Sequence, residues 1–469
     1  MKLRSYQKTI IKAQREFMAN NDLQRGQIYS PTGSGKTVCF DALITDLLKS
    51  KTKKKICIVY PRIALAIDQQ ARLKDKRNVE FTSFHSGGND APDEAKQYRK
   101  QISTTSVEVL QEVINTTDRH HITFSSYHSF EQICELDFDL IICDEGHNLV
   151  QNNFSKSLPK IKSKVIFYTA TPINIINGLE TVVGMNNENL FGPVICDIKP
   201  KTLIDRGYIV APLLVELNIS TDENGITIRP HLAIAHAYND QKSRLQKVNN
   251  KMLVAMSDTK FFDDIQDKSH EINDMVGDVD IYTITAGTQC KNGTHLPSRE
   301  AALEDFGKNT NQCIILHCDT LAEGIDVPGI TGVFIYRTLS KSKLIQTIGR
   351  AARPSLLDMD KNGEIIDMNN RVKPHAILTV AVIDNEYYAN LNTKTCCEAF
   401  IEGGYGDSIS DITQFISKER VDCQNGEKSG KGNGNYITTQ QSLLFKHIES
   451  VEADQVKLDL EDEWDEWEE

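Results

Sequence analysis

Two α/β domains in tandem, each a wound parallel sheet, are predicted by three observations. Short apolar, β-branched runs alternate with helix-compatible stretches, the rhythm starts again in the second half of the chain, and glycines and prolines cluster between the two series. The first series reads Gln27-Ile28-Tyr29, Ile56 to Tyr60, Phe81 to Phe84, Leu140 to Cys143 and Val165 to Tyr168. The second reads Met252 to Ala255, Ile281 to Ile284, Cys313 to Leu316, Val333 to Tyr336 and Ala376 to Val380. The boundary falls between Phe191-Gly192-Pro193 and Val210-Ala211-Pro212, which gives domains over residues 1–200 and 201–400.

Past residue 400 the pattern weakens, and residues 401–469 are expected to form an extension. Gly426, Gly430, Gly432 and Gly434 among Ser, Asn and Lys read as a flexible tether. A short helix is expected around Ser442 to Ile448, followed by an acidic run bearing Trp464 and Trp467 that is too charged to bury itself. That run reads first as solubilising disorder and second as a hook for a protein partner, or a competitor for the chain's own nucleic-acid groove.

At 469 residues the chain exceeds what one hydrophobic core organises, and 39% hydrophobic with 25% charged residues is ordinary for soluble protein. Nothing approaches the ~18 apolar residues of a membrane span, and the opening Met1 to Ser5 lacks a signal-peptide core. The expectation is an intracellular, cytoplasmic protein. The eleven cysteines are scattered through apolar segments, as at Cys57, Cys143 and Cys313, without paired Cys-x-x-Cys spacing, and read as reduced core thiols. The net charge of −12 sits mostly at the end: Glu452 to Glu469 hold ten acidic residues against one lysine, leaving −3 for the rest. A nearly neutral body can still carry a basic groove, so total charge does not exclude nucleic acid.

The chemistry begins at Ser30-Pro31-Thr32-Gly33-Ser34-Gly35-Lys36-Thr37, between the strand ending at Tyr29 and a helix-compatible run from Val38 to Lys49. Strand, glycine loop and helix are the context of a phosphate-binding loop. Gly33, Ser34 and Gly35 offer backbone N–H groups to a β-phosphate, Lys36 reaches the β and γ oxygens, and the Thr37 hydroxyl ligates magnesium. Ser30 stands where the general pattern has glycine. Further on, the strand Leu140 to Cys143 ends in Asp144-Glu145-Gly146-His147, delivering two carboxylates to its C-terminal end. Asp144 is expected to hold the magnesium and Glu145 to orient or deprotonate the attacking water.

Asp-Glu-Gly-His resembles the Asp-Glu-x-His box of superfamily 2 helicases and translocases, and over roughly residues 3 to 385 further motifs follow in that superfamily's order. The resemblance implies two RecA-like domains with an ATP cleft between them. Leu3-Arg4-Ser5-Tyr6-Gln7 is similar to the Gln motif, which implies adenine reading by Gln7 beside Arg4. Pro61-Arg62-Ile63-Ala64-Leu65 and Ser125-Ser126-Tyr127 resemble the segments that grip a nucleic-acid backbone, implicating Arg62 and Ser126. Thr169-Ala170-Thr171-Pro172 resembles the motif that, with His147, couples hydrolysis to strand movement. In the second domain Glu323-Gly324-Ile325-Asp326-Val327-Pro328 resembles motif V, assigning Gly324 and Asp326 to the nucleotide, though Cys318 stands where a threonine is common. Gln346-Thr347-Ile348-Gly349-Arg350-Ala351-Ala352-Arg353 resembles motif VI, which implies Gln346 and the arginines Arg350 and Arg353 at the γ-phosphate.

Two metal signals are set aside. Asp358-Met359-Asp360-Lys361-Asn362-Gly363 opens like a calcium loop, but Asn369 stands where the bidentate glutamate belongs, so a hairpin turning at Asn362-Gly363 is expected. His120-His121 has no ligand partner at suitable spacing and reads as a strand start. Among superfamily branches, the Leu-Arg-x-x-Gln opening, Thr-Ala-Thr-Pro and the link Leu203 to Pro212 resemble restriction-enzyme motor subunits and phage recombination helicases. That resemblance favours double-stranded or branched DNA over RNA; an RNA remodelling ATPase and a nucleotide-dependent scaffold are the alternatives.

Overall fold

The computed structural model describes residues 3–73, 76, 78–85, 101–174, 184–219, 230–256, 258–285, 287–318, 327, 329–337, 339, 341–360, 364–383 and 417–421. They fall into two compact units that part between Lys199 and Pro200.

The first unit begins with helix α1 (Ser5–Ala19), whose Tyr6, Ile10, Ile11 and Phe17 recur at helical spacing and are buried. Its eight strands are β1 (Arg25–Tyr29), β2 (Lys55–Tyr60), β3 (Val79–Phe84), β4 (Gln101–Ser103), β5 (His120–Ser126), β6 (Leu140–Cys143), β7 (Val165–Thr169) and β8 (Val194–Asp197). They form one sheet in the order β4-β3-β5-β2-β6-β7-β1-β8, and every pairing is parallel. Central strands β5, β6 and β7 are buried at every residue, because helices cover both faces of a parallel sheet.

The second unit contributes β9 (Ala211–Ile219), β10 (Lys251–Met256), β11 (Asp280–Ile284), β12 (Gln289–Lys291), β13 (Thr294–His295), β14 (Cys313–His317), β15 (Gly332–Tyr336), β16 (His375–Ile383) and β17 (Ser417–Val421). Their order is β13-β12-β11-β14-β10-β15-β16-β9-β17. Set side by side, the two sheets share one plan. With β4 and β8 set aside in the first sheet and β12, β13 and β17 in the second, β3-β5-β2-β6-β7-β1 and β11-β14-β10-β15-β16-β9 follow the same order of appearance in the chain. The tandem pair of RecA-like parallel sheets expected from the motifs is therefore present.

Every strand of the two predicted series is found, and His120-His121 does open a strand. Six others were not expected. β4, β8 and β17 are edge strands, β9 begins inside the predicted link, and β12 with β13 makes an antiparallel hairpin that turns at Asn292 and Gly293. β17 lies within residues 401–469 and pairs in parallel with β9, so part of the predicted extension belongs to the second sheet. The tether, the helix around Ser442 and the acidic run lie outside the described residues, as do residues 361–363, where the hairpin turn was expected; Met359 and Ile365 bridge in antiparallel fashion on either side of it. No described helix is long and apolar enough to cross a membrane. Cys57, Cys143 and Cys313 are unbridged and buried, as expected of core thiols.

Candidate active site

Sheet order puts the motifs of the first unit side by side. Along the C-terminal edge, β5 ends at Ser126, β2 leads to Arg62, β6 to Asp144, β7 to Thr169 and β1 to the glycine loop, with β5, β2, β6, β7 and β1 as successive neighbours. The residues expected to serve phosphate chemistry thus gather at one end of this edge and the predicted polymer contacts at the other.

The loop between β1 and helix α2 (Lys36–Leu47) needs its glycines: Gly33 and Gly35 have φ of +80° and +82°, a region that costs other L-residues about 1–2 kcal/mol. Gly35 is the cap of α2 and leaves that helix N-terminus without a side-chain partner, open to an anion. Two residues of α1 brace the loop. Tyr6 donates its hydroxyl to the Ser34 carbonyl at 2.6 Å and Gln7 donates Nε2 to the same oxygen at 3.3 Å. The other end of the Gln7 amide accepts the Arg4 N–H at 3.0 Å, closing the first turn of α1. Gln7, expected to read adenine, is thereby tied to the glycine loop, and Tyr6, for which no role was expected, holds that loop as closely. Ser30 also finds its reason here: its buried hydroxyl lies 2.7 Å from that of Ser34 and stiffens the loop from within.

Lys36 Nζ meets Glu145 Oε1 at 2.9 Å, both side chains being largely shielded from water. Glu145 takes a left-handed backbone, φ +49° and ψ 54°, which only a well-determined surrounding sustains in a non-glycine residue. Its carbonyl accepts both the backbone N–H of Asn148 at 3.0 Å and that residue's amide at 2.9 Å, which fixes the turn. Gly146 follows because a Cβ there would lie 3.0 Å from Phe167 Cβ on β7. Asp144 is held through its backbone: its N–H donates to Val59 of β2 at 2.9 Å, and its carbonyl accepts the Tyr127 hydroxyl at 2.7 Å.

The two carboxylates are pushed in opposite directions. Burial pushes Glu145 up, but Lys36, then His147, outweigh it and hold the group below the usual carboxylate range. Asp144 is raised, by burial first and then by the charge of Glu145, with Lys36 only partly opposing. A carboxylate raised this way, with the nearby ammonium committed to its neighbour, suits a divalent cation, and Thr37 in the first turn of α2 has the matching hydroxyl. Among the described residues no three His, Cys, Asp or Glu side chains cluster as a separate metal site.

His147 links this pair to β7. Its Nδ1 lies 3.5 Å from Glu145 Oε2, 2.9 Å from Thr169 Oγ1 and 3.3 Å from Thr171 Oγ1, while Thr169 Oγ1 accepts the Thr171 N–H at 2.9 Å. The residues expected to couple hydrolysis to movement form one buried network touching the expected base. Arg62 and Ser126 also come to neighbouring strand ends, but Ser126 is 3% exposed and its hydroxyl turns to Ser129 at 3.4 Å.

In the second unit the helix Lys341–Ala351 carries Gln346 and Arg350 four residues apart, hence on one face, and both are buried; Arg353 follows the helix end and is half-buried. Gly324 and Asp326 lie outside the described residues. Cys318, at the threonine position of motif V, packs partly against the second core.

Comparison with known proteins agrees with this geometry. Residues 1–174 match the family of type III restriction enzyme res subunits and residues 241–355 the helicase conserved C-terminal domain. A protein of African swine fever virus named as a probable helicase is 25% identical over 277 residues, 56% of this chain and 27% of that one. A protein of Kluyveromyces lactis named ATP-dependent RNA helicase is 23% identical over 341 residues, 70% of this chain and 51% of that one. The solved structure of the ATP-dependent type ISP restriction-modification enzyme LlaBIII bound to DNA shares the fold, with a TM-score of 0.65 at 15% identity, covering 96% of this chain and 32% of that one. The chain thus spans about half or less of the length of these proteins. The two family matches together take in more than half of the sequence, and the chain belongs to the superfamily 2 helicases, related to the motor subunits of restriction enzymes.

Proposed function

We propose that this chain is an ATP-hydrolysing motor that translocates on, or remodels, double-stranded or branched DNA. The observation that carries the reading is the buried Lys36–Glu145 pair beside Asp144, continuous with the His147–Thr169–Thr171 network. A protein that merely held nucleotide as a scaffold would need the glycine loop but not a strained, desolvated glutamate wired to a second strand.

In this reading the loop N–H groups and Lys36 hold the phosphates, and Lys36 leaves Glu145 when it takes up the γ-phosphate. Glu145, kept ionised, then accepts the proton of the attacking water. Magnesium, when bound at Thr37 and Asp144, supplies charge neutralisation at the phosphate oxygens. Arg350 and Arg353 are assigned to the transferring phosphoryl group, where a fixed planar cation can be worth ~10³-fold or more in rate. Release of phosphate frees Glu145, and the hydroxyls of Thr169 and Thr171 re-pair through His147, passing the change to β7. Arg62, with main-chain amides near Ser126, supplies phosphate contacts, so binding should be sequence-independent and weaken with salt.

DNA is favoured by the likeness to a restriction enzyme solved on DNA; the RNA helicase among the relatives keeps RNA as the competing reading. The deciding experiment is ATP hydrolysis without polymer, with RNA, with single-stranded DNA and with branched duplex DNA. Stimulation by duplex or branched DNA is expected. Stimulation by RNA alone removes the DNA assignment, and none by any polymer removes the motor.

A further inference from the structure

Beneath the arginines of the second unit lies a buried lysine that the motif pattern does not include. Lys373, two residues before β16, is 2% exposed, and its Nζ donates to the carbonyls of Ile330 at 2.8 Å, Ala351 at 2.6 Å and Arg353 at 2.7 Å. An ammonium has three donors, and these three acceptors use them all. The carbonyl between the last two, that of Ala352, accepts the Val210 N–H at 2.7 Å, just ahead of β9. Three successive carbonyls at the end of the Lys341–Ala351 helix, where a helix leaves such groups without internal partners, are therefore all fixed from the sheet side. The lysine is fixed in turn, because the buried Asp358 carboxylate accepts the backbone N–H of Val372 at 2.7 Å and of Lys373 at 3.1 Å.

Ending a helix does not require this. Glycine, water or a surface lysine commonly serves. Burial and then the nearby Arg353 charge pull the Lys373 ammonium down to about 7, with Asp358 opposing, so the arrangement is costly to keep. What it adds is a defined backbone from Ala351 to Arg353, the stretch that carries one arginine and adjoins the other.

We propose that Lys373, seated by Asp358, is a positioning residue for Arg350 and Arg353, holding the backbone between them so that both guanidinium groups keep one geometry toward the phosphoryl group. The inference rests on the reading of these arginines as phosphoryl-stabilising groups. Lysine and aspartate act here through the main chain, without touching the nucleotide, so their loss should lower turnover and leave ATP binding alone. Displacing a catalytic group by an ångström costs up to about a hundredfold in rate.

The test uses the full chain and compares Arg350→Ala, Lys373→Met and Asp358→Asn in DNA-stimulated ATP hydrolysis, with thermal melting as the check on folding. The expected result for Lys373→Met is a fall in kcat of roughly tenfold or more, with KM for ATP within about twofold. Asp358→Asn, which keeps one acceptor oxygen, should show the same split to a smaller degree, and it decides the matter if Lys373→Met does not fold. Wild-type kcat in a folded Lys373→Met, or a rise in KM alone, overturns the inference while leaving the arginines' role intact. Undiminished kcat in Arg350→Ala overturns the underlying reading instead.

Discussion

The Nζ of Lys36 and the Oε1 of Glu145 stand 2.9 Å apart, so the cation proposed to hold phosphate is paired with the carboxylate proposed to activate water. Lys36, with His147, holds Glu145 below the usual carboxylate range where water is scarce. Removing one member of such a buried pair leaves an uncompensated charge and costs about 3–5 kcal/mol. Lys36→Ala should abolish hydrolysis and also lower the melting temperature without nucleotide, whereas Lys36→Met combined with Glu145→Gln should regain much of that stability and stay inactive. A single Lys36→Ala as stable as the parent would show that the pair is not shielded in solution.

Glu145→Gln alone should separate binding from chemistry. The amide cannot take a proton from water, and loss of a general base costs about a hundredfold or more in turnover. ATP binding, followed with a fluorescent analogue, should persist, because the loop and Lys36 are untouched. Equal loss of binding and turnover would move Glu145 from catalysis to structure.

Gly35 tolerates no side chain. Its φ is +82°, and a Cβ there would lie 2.8 Å from Gln7 Nε2. Gly35→Ala should therefore weaken ATP binding by roughly tenfold or more, from strain of about 1–2 kcal/mol and displacement of Gln7. Gln7→Ala combined with Gly35→Ala relieves the clash but not the strain, so affinity should recover only in part. Full recovery would mean that the clash alone matters.

Thr169→Val keeps shape and removes the hydroxyl that faces His147 and accepts the Thr171 N–H. That N–H is left without its acceptor, at a cost of about 1–3 kcal/mol. Polymer stimulation of ATP hydrolysis should fall more than turnover without polymer. Proportional loss of both would count against coupling through this network.

His121 predicts an acid limit. It is fully buried on β5, and burial, then Lys55, pull its pKa from 6.5 to about 4. The unfolded chain therefore binds the proton first as pH falls, and stability present above pH 6.5 is lost between 6.5 and about 4. At about 1.4 kcal/mol per pH unit the loss reaches at most roughly 3.5 kcal/mol. Urea unfolding across this range should show a shallower decline in His121→Gln, which keeps a group near Thr123 without the titration. Parallel declines would place the acid sensitivity elsewhere.

Much of this was legible beforehand for a physical reason. Strands buried on both faces, such as Leu140 to Cys143, must be apolar throughout, and phosphate loops must contain glycine where φ is positive, so both leave marks in the residues themselves. Edge strands leave weaker marks. β17, Ser-Lys-Glu-Arg-Val, has no strand pattern of its own and is a strand because β9 offers it an open edge. The brace of Tyr6 on Ser34, the pairing of Ser30 with Ser34 and the seat of Lys373 under Arg353 join residues far apart in sequence or of unremarkable type.

By itself the sequence determined the tandem α/β plan, the identity of the phosphate loop and the order of the motifs, since each depends on local periodicity or on a residue type that no other can replace. The tertiary structure decided that Lys36 answers to Glu145, that Ser126 turns inward to Ser129 and that Lys373 binds the carbonyls of Ala351 and Arg353. Those relationships arise when parallel strands distant in the chain become neighbours, and strand order is a property of the folded sheet that no stretch of residues carries alone.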